Sequence, residues 1–451
     1  QFNKSLGKEL ASLRKQKPRK FYQRIKAYLH PKSSTPPAPS PDNFCKYFEG
    51  LYNNAQATSP EREIPTSGVL RGYLNAAISF LKLPLDVFED SENNDIDTDQ
   101  DIAATPHEMS NIVEIDGFKY FSLPDGNTAP LSLVYLDGTL SRLANHSAPG
   151  RTGLRYEYFK YTRDASVPFL RDVFCTLWFL QSTPAYWGKG VACPLFKVAD
   201  GDRYNMDLYR CITVGECFDR IFSSALLCHI ESKLDSQLSP FQFGFRNQRC
   251  TDDAVFLLQE LLSRRNMNGN STTCVFVDLV KAFDRVDRSI LFNKLKDQFG
   301  LPQRELNIIR SIYTDVEGIV KVQGNISSTT FPTNVGVRQG HVLSSLLFAV
   351  CINDLAVNHE DVPKLQIMRD VFLQNSQQAY GTKMSSCFYA DDFCLCASNS
   401  SNMSHLLKIV EDWCDTNKIE LSIPKTVGMH FHRGDETPSI SNKGNIISFV
   451  I

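Results

Sequence analysis

Apolar and polar positions change rhythm along this chain. Leu6, Leu10 and Leu13 recur at helical spacing, Pro18 interrupts, and Phe21, Ile25, Tyr28 and Leu29 resume the period. Prolines crowd the stretch from Pro31 to Pro41, which reads as a linker. Residues 44–83 carry a helical pattern. From about residue 140 helical and strand-like patterns alternate, with Gly and Pro between them, which predicts an α+β body. The runs Cys274–Val277, Cys387–Tyr389 and Phe393–Ala397 are short and almost wholly apolar, as strands buried on both faces should be. Leu291 and Leu295 predict a helix beginning near Ser289. Leu343, Leu346, Leu347, Val350 and Cys351 predict a second helix with one buried stripe.

Charge alters this picture at the ends of the chain. The net charge of −2 conceals a basic arm, with nine Lys/Arg and one Glu in residues 1–30. It also conceals an acidic stretch, with eleven Asp/Glu and no Lys/Arg in residues 86–116, read as a mobile solvated insert. Asp95–Asp101 resembles the start of a calcium loop. Gln100 stands where the loop needs Gly and Pro106 where it needs Glu, so calcium is rejected. The arm is a handle for phosphates or a solvated helical face. Thirteen cysteines without a C-x-x-C pair argue for reduced thiols and an intracellular protein, nuclear or cytoplasmic. The longest apolar stretch, near Leu346–Ile352, falls far short of the ~20 residues that span a bilayer, so no membrane partner is expected. An N-terminal Gln reads as the start of an excised piece of a longer polypeptide.

Candidate chemistry gathers in three places. Asp391 and Asp392 sit between two apolar runs, at what reads as a hairpin turn. Asp278 ends another apolar strand, and Asp284 and Asp287 read as turn or cap residues beside it. In Gly336-Val337-Arg338-Gln339-Gly340, two glycines bracket a cation and an amide at a helix start, where backbone can approach a nucleotide closely. Two adjacent carboxylates repel, and a divalent cation would relieve them. A solvated acidic turn is the competing reading. His430 and His432 would share one strand face, with no partner that makes them a metal site.

In order, these segments resemble a reverse transcriptase of the non-LTR (LINE-type) retrotransposon group. Phe276-Val277-Asp278 with Lys281-Ala282-Phe283-Asp284 resembles polymerase motif A, and Gly336–Gly340 with Leu343-Ser344 resembles motif B. Tyr389-Ala390-Asp391-Asp392 resembles motif C, and Trp413 through Lys425 resembles motif D. Upstream, Ala148–Gly153, Pro194–Lys197, Tyr209-Arg210 and Gln242-Phe243-Gly244-Phe245-Arg246 are similar to the family's fingers segments. Thr152, Cys211, His341 and Ser345 depart from the usual residues at their positions.

The resemblance implies an RNA-directed DNA polymerase with right-hand fingers and palm, the palm an antiparallel sheet backed by helices. It implies a helical N-terminal extension and no complete thumb before Ile451. The expected boundaries are 1–43 for the arm and linker, 44–139 for a helical segment with the acidic insert, 140–270 for fingers and 271–451 for palm. Asp278, Asp391 and Asp392 are implied ligands of two Mg²⁺, or Mn²⁺ in their place. Lys425 is an implied proton donor. Lys197, Arg210, Phe283, Arg338, Gln339 and Gly340 are implied to meet the incoming dNTP, with Phe283 as a steric gate against ribose. Arg246 and Arg249 are implied template contacts. The partners implied are an RNA template, a DNA primer, dNTPs and other parts of one polyprotein, endonuclease and thumb among them. A decayed remnant that only binds nucleic acid or protein is the alternative.

Overall fold

The computed structural model describes residues 38–53, 112–122, 127–198, 201–357, 365–366, 383–431, 441–442 and 445–450. The basic arm, most of the linker, the helical pattern beyond residue 53, most of the acidic stretch and His432 lie outside them. In chain order the principal elements are α1 (Pro41–Tyr52), β1 (Ile112–Ile115), β2 (Phe118–Ser122), β3 (Thr128–Pro130), α2 (Arg163–Leu180), β4 (Lys189–Phe196), β5 (Tyr209–Val214), α3 (Cys217–Gln237), α4 (Thr251–Met267), β6 (Thr272–Val277), α5 (Arg288–Asp297), α6 (Gln303–Ile312), β7 (Glu317–Val322), β8 (Asn325–Pro332), α7 (Ser344–Val357), β9 (Ser386–Tyr389), β10 (Asp392–Ala397), α8 (Ser400–Asn417), β11 (Val427–Phe431) and β12 (Ser448–Val450).

A five-stranded sheet runs β9-β10-β6-β11-β12. Side-chain alternation explains its sequence. Val275, Val277, Phe388, Phe393, Leu395 and Ala397 face the main core, while Cys274, Cys387, Cys394 and Cys396 face α4 through Ala254 and Leu261. Both faces are covered, so the strands read as unbroken apolar runs. All pairings are antiparallel except β11 with β12, which is parallel. The expectation of a wholly antiparallel sheet is thus corrected at one edge. The connection over residues 432–447 is long enough to return the chain to the start of β11, which a parallel neighbour requires.

A four-stranded sheet runs β5-β4-β7-β8. Helix α1 closes a small core on it, where Phe44, Phe48 and Tyr52 meet Tyr209, Cys211 and Phe331. Ser40 caps α1 by accepting from the Asn43 amide at 3.2 Å, and Pro41 takes the first position. Residues 112–115, 118–122 and 128–130, expected within a helical segment with an acidic insert, instead form a three-stranded antiparallel sheet. Asp116 and Gly117, both at positive φ, make the tight turn that the β1–β2 ribbon needs. Helix α5 starts as expected, with the Asp287 carboxylate accepting from the Ser289 and Ile290 amides at 3.0 and 3.2 Å. Helix α7 is corrected from a one-sided stripe: Phe348, Ala349, Ile352 and Leu355 are buried as well, so neighbours pack around it on all sides. All thirteen cysteines are reduced thiols. No helix among the described residues is long and apolar enough to cross a membrane.

Candidate active site

The β6–β10 register brings two carboxylates side by side. Phe393 pairs with Val277 and Cys394 with Phe276, so one step past the ladder Asp392 stands opposite Asp278. Alternation puts both on the face that carries Cys274, Cys394 and Cys396. Tyr389 pairs with Asp392, which leaves Ala390 and Asp391 as a two-residue turn. Burial, Asp392 and Asp278 push the Asp391 carboxyl above the usual carboxylate range, and burial with Asp278 does the same to Asp392. Asp278 is fixed from outside the sheet: its carbonyl accepts from the Ser422 amide at 2.8 Å, and its carboxylate from Lys425 Nζ at 3.1 Å. Asp278, Asp392 and Lys425 line a cleft of about 520 Å³, walled by Val255 and Leu258 of α4 and by Phe276.

The turn is held by Gln242 and its neighbours, which the sequence placed only within a fingers segment. Ala390 has φ +58°, a left-handed conformation that costs an L-residue about 1–2 kcal/mol. Gln242 is buried, and its Oε1 accepts from both Ala390 N at 3.0 Å and Gly244 N at 2.9 Å. Phe388 N donates to Phe241 O and Phe243 N to Phe388 O, at 2.9 and 2.8 Å, so residues 241–243 bridge β9 as a short extra strand. A Cβ at Gly244 would lie 2.2 Å from Ala390 N, which explains the glycine. The motif Gln242–Arg246 carried this signal in its Gly, but only the fold reveals what the Gly meets.

The two arginines expected as template contacts both have partners within this segment. Arg246 forks onto the Asp235 carboxylate at 2.7 and 2.9 Å and donates to Ser239 O at 2.8 Å. Arg249 donates to the carbonyls of Pro240 and Gln242 and lies over the Phe243 ring. Both guanidiniums brace the segment that holds the turn.

Opposite the carboxylates stands a group of cations. Lys197 and Arg210 lie on one face at the β4–β5 end, since Leu195 pairs with Arg210. Both are exposed. Desolvation, then Arg210, Lys281 and Lys425, hold the Lys197 ammonium below its usual range, against the attraction of Asp284. Lys281, which the sequence placed only within a motif, bonds to Asp207 and Tyr47. Those bonds outweigh its burial and hold its ammonium above the usual range. Phe283 stacks on Phe348 at 4.3 Å and meets the Phe245 ring edgewise at 5.7 Å.

Asp284 is corrected from a cap to a buried acceptor. Tyr52 OH of α1 and Gln339 Nε2 both donate to its Oδ1, each at 2.8 Å. Burial raises its pKa, and those two bonds oppose the rise. Gln339 and Gly340 precede α7 in a turn packed on β5. Gln339 O accepts from Thr213 N at 2.7 Å, and a Cβ at Gly340 would lie 2.9 Å from Thr213 O.

Arg338, expected to meet the incoming dNTP, points inward. Its guanidinium donates to Asp219 Oδ2 at 3.4 Å and lies over the Tyr313 ring. His341 Nε2 and Ser223 Oγ complete the shell around that carboxylate, at 3.4 and 3.1 Å. Burial alone would raise the Asp219 pKa, but His341 and Arg338 reverse the sign and lower it. Buried Arg288 donates to the carbonyls of Thr333, Val335 and Gly336, tying down the strand that leads into Arg338. The unusual Thr152 has a similar local reason. Its hydroxyl donates to the buried Glu216 carboxylate at 2.6 Å.

The carboxylate turn, the strand-end aspartate and the facing cations agree with a comparison across known proteins. Residues 199–446 match the family model described as reverse transcriptase (RNA-dependent DNA polymerase). The chain belongs to this family. It is 25% identical over 344 residues to the RNA-directed DNA polymerase from mobile element jockey of Drosophila melanogaster, covering 73% of this chain and 35% of that protein. It is 24% identical over 300 residues to the transposon TX1 uncharacterized 149 kDa protein of Xenopus laevis, covering 66% and 22%. It is 27% identical over 218 residues to a Pol polyprotein from the type-1 retrotransposable element R2 of Popillia japonica, covering 48% and 29%. The chain therefore spans about a fifth to a third of the length of these relatives. A telomerase structure from Candida tropicalis superposes with a TM-score of 0.37 at 14% identity, covering 58% of this chain and 53% of that one, too loosely to carry an argument.

The family's reliance on divalent cations fits the donors. The carboxylates of Asp278, Asp391 and Asp392 are hard oxygen donors, the kind that divalent cations take. Burial first, and then the neighbouring carboxylates, raise the pKa values of Asp391 and Asp392, and a cation would relieve the repulsion. The three do not close to within 4.8 Å of one another; among the described residues, the buried thiols Cys274, Cys394 and Cys396 form the group that does. A pair of ions ~4 Å apart needs a wider donor set than one ion does.

Proposed function

We propose that this chain is the polymerase body of a non-LTR retroelement reverse transcriptase, extending a DNA primer on an RNA template from dNTPs. The observation that carries the reading is the β6–β10 register, which sets Asp392 beside Asp278 with the Asp391 turn next to them. In this reading the five-stranded sheet is the palm and the four-stranded sheet belongs to the fingers.

Asp278, Asp391 and Asp392 would hold two Mg²⁺, or Mn²⁺. When bound, these ions activate the primer 3′-hydroxyl and stabilise charge on the leaving oxygens. Lys197, Arg210 and Lys281 would receive the triphosphate by charge-assisted hydrogen bonds. The Phe283 ring, backed by Phe348, would wall the sugar and crowd a 2′-hydroxyl. Lys425, already bonded to Asp278, is close enough to the metal ligands to deliver a proton to departing pyrophosphate.

Primer extension on RNA and DNA templates side by side tests the reading. The expected result is Mg²⁺-dependent extension on RNA that Asp391→Asn abolishes. Wild-type protein that binds Mg²⁺ yet extends nothing on RNA would leave only a nucleic-acid or protein-binding module.

A further inference from the structure

Gln242 lies outside the carboxylates, the cations and the sugar wall, yet it touches the backbone that carries Asp391. One oxygen, Oε1, accepts from both Gly244 N and Ala390 N. Its Nε2 is buried with no hydrogen-bond partner. The two amide donors fix which end of the carboxamide faces the turn, since a flipped group would set N–H against N–H. The site therefore uses Gln242 as an acceptor and tolerates an orphaned donor. A glutamate would remove the orphan but place a third negative charge beside Asp391 and Asp392. A neutral acceptor is what the turn can accommodate.

The surroundings keep that acceptor still. Arg246 links the Gln242 segment to the end of α3 through Asp235, and Ser239 N donates to Asn353 Oδ1 of α7 at 2.7 Å. Gly244 lets the segment lie directly against Ala390. Ala390 is strained, and Asp391 follows it immediately.

We propose that Gln242 is a positioning residue for the catalytic carboxylates: its oxygen holds the Ala390–Asp391 turn left-handed and so aims Asp391 and Asp392 at the ions shared with Asp278. The role rests on the polymerase reading for its consequence in catalysis, but not for its consequence in metal binding.

The test uses the full chain and three readouts: Mn²⁺ affinity by paramagnetic resonance titration, amide exchange over residues 386–393, and steady-state extension on an RNA template. Gln242→Ala should weaken Mn²⁺ binding at least fivefold, speed exchange at Ala390 and lower kcat tenfold or more, with KM for dNTP within twofold. Gln242→Met keeps the volume without the acceptor and should behave the same way, which covers a poorly folding Ala variant. Adding Ala390→Gly should restore at least half of the logarithmic loss, because glycine adopts the left-handed turn without strain. Mn²⁺ affinity and exchange that stay within twofold in both variants would overturn the proposal, as would a loss that Ala390→Gly leaves untouched. Wild-type protein that binds Mn²⁺ but extends no primer would defeat the polymerase reading, while the metal and exchange results would still decide the role of Gln242.

Discussion

The carboxylate side of the candidate site and the cations near it are built on opposite plans. On the carboxylate side, position is fixed by backbone: Asp392 opposes Asp278 by strand register, and Asp391 rides a strained turn clamped by Gln242. On the cation side, Lys197 and Arg210 are exposed groups on long flexible stems, and Lys281 is tethered through a side-chain carboxylate. On the proposed polymerase reading, the difference follows from what each side would handle. Metal coordination tolerates errors of only tenths of an ångström, so its ligands need a rigid frame. A triphosphate presents many oxygens, and a lysine can follow them.

The most damaging way to break the comparison is Asp391→Asn. Extension should fall at least ~10³-fold, as the loss of a metal ligand implies. Stability should move the other way. The carboxyls of Asp391 and Asp392 titrate above their usual range because burial and neighbouring carboxylates disfavour the charged form. A folded-state pKa above the unfolded value gives stability that is present at low pH and lost as pH rises through the folded value. In EDTA the wild type should therefore lose stability between the ordinary carboxylate range and that raised value. The variant should lose less, and Mg²⁺ should recover the wild type alone. Thermal melts at pH 4 and 7.5 would show this, and equal losses in both proteins would count against the repulsion.

Two arginines sharpen the contrast. Arg338→Leu leaves Asp219 buried beside His341 with its main cation gone, a loss of about 3–5 kcal/mol by analogy with broken buried pairs. Arg210→Ala should leave the melting temperature unchanged and raise KM for dNTP about tenfold, the ~1.4 kcal/mol of a charged hydrogen bond. Denaturant titration beside steady-state kinetics separates them. If Arg338→Leu folds normally and loses dNTP affinity, the inward reading of Arg338 is wrong. Phe283→Val should relax rejection of rNTPs about tenfold, and unchanged discrimination would reduce the ring to packing on Phe348.

How far sequence reaches depends on whether a role is local. Asp278, Asp391 and Asp392 stand out in the sequence because each borders an apolar run, and the strand register then sets Asp392 opposite Asp278. The cap at Asp287 was legible because it needs only the next three residues. The burial of Arg338 and Asp284 was not legible because their partners are remote: Asp219 and Tyr52 lie more than a hundred residues away. A motif shows that a cation is present, not which way it turns. The strands Ile112–Ile115, Phe118–Ser122 and Thr128–Pro130 were missed because they are three to five residues long and their burial does not alternate, so no strand period shows in the sequence.

The smallest expected effect is the sharpest discriminator for Arg246. A phosphate contact adds roughly 0.7–0.9 to the slope of log affinity against log salt. Arg246 has both nitrogens of its fork on Asp235 and a third bond to Ser239 O, which leaves little positive field for a template. Arg246→Met should therefore leave the salt slope of RNA binding unchanged. It should still lower stability by about 1–3 kcal/mol, because buried carbonyls and one carboxylate lose their donor. It should also lower kcat modestly, since the segment that clamps the Asp391 turn is braced by this fork. A slope that falls by one contact at unchanged stability would return Arg246 to the template, and would move one member of the rigid carboxylate side to the adaptable cation side.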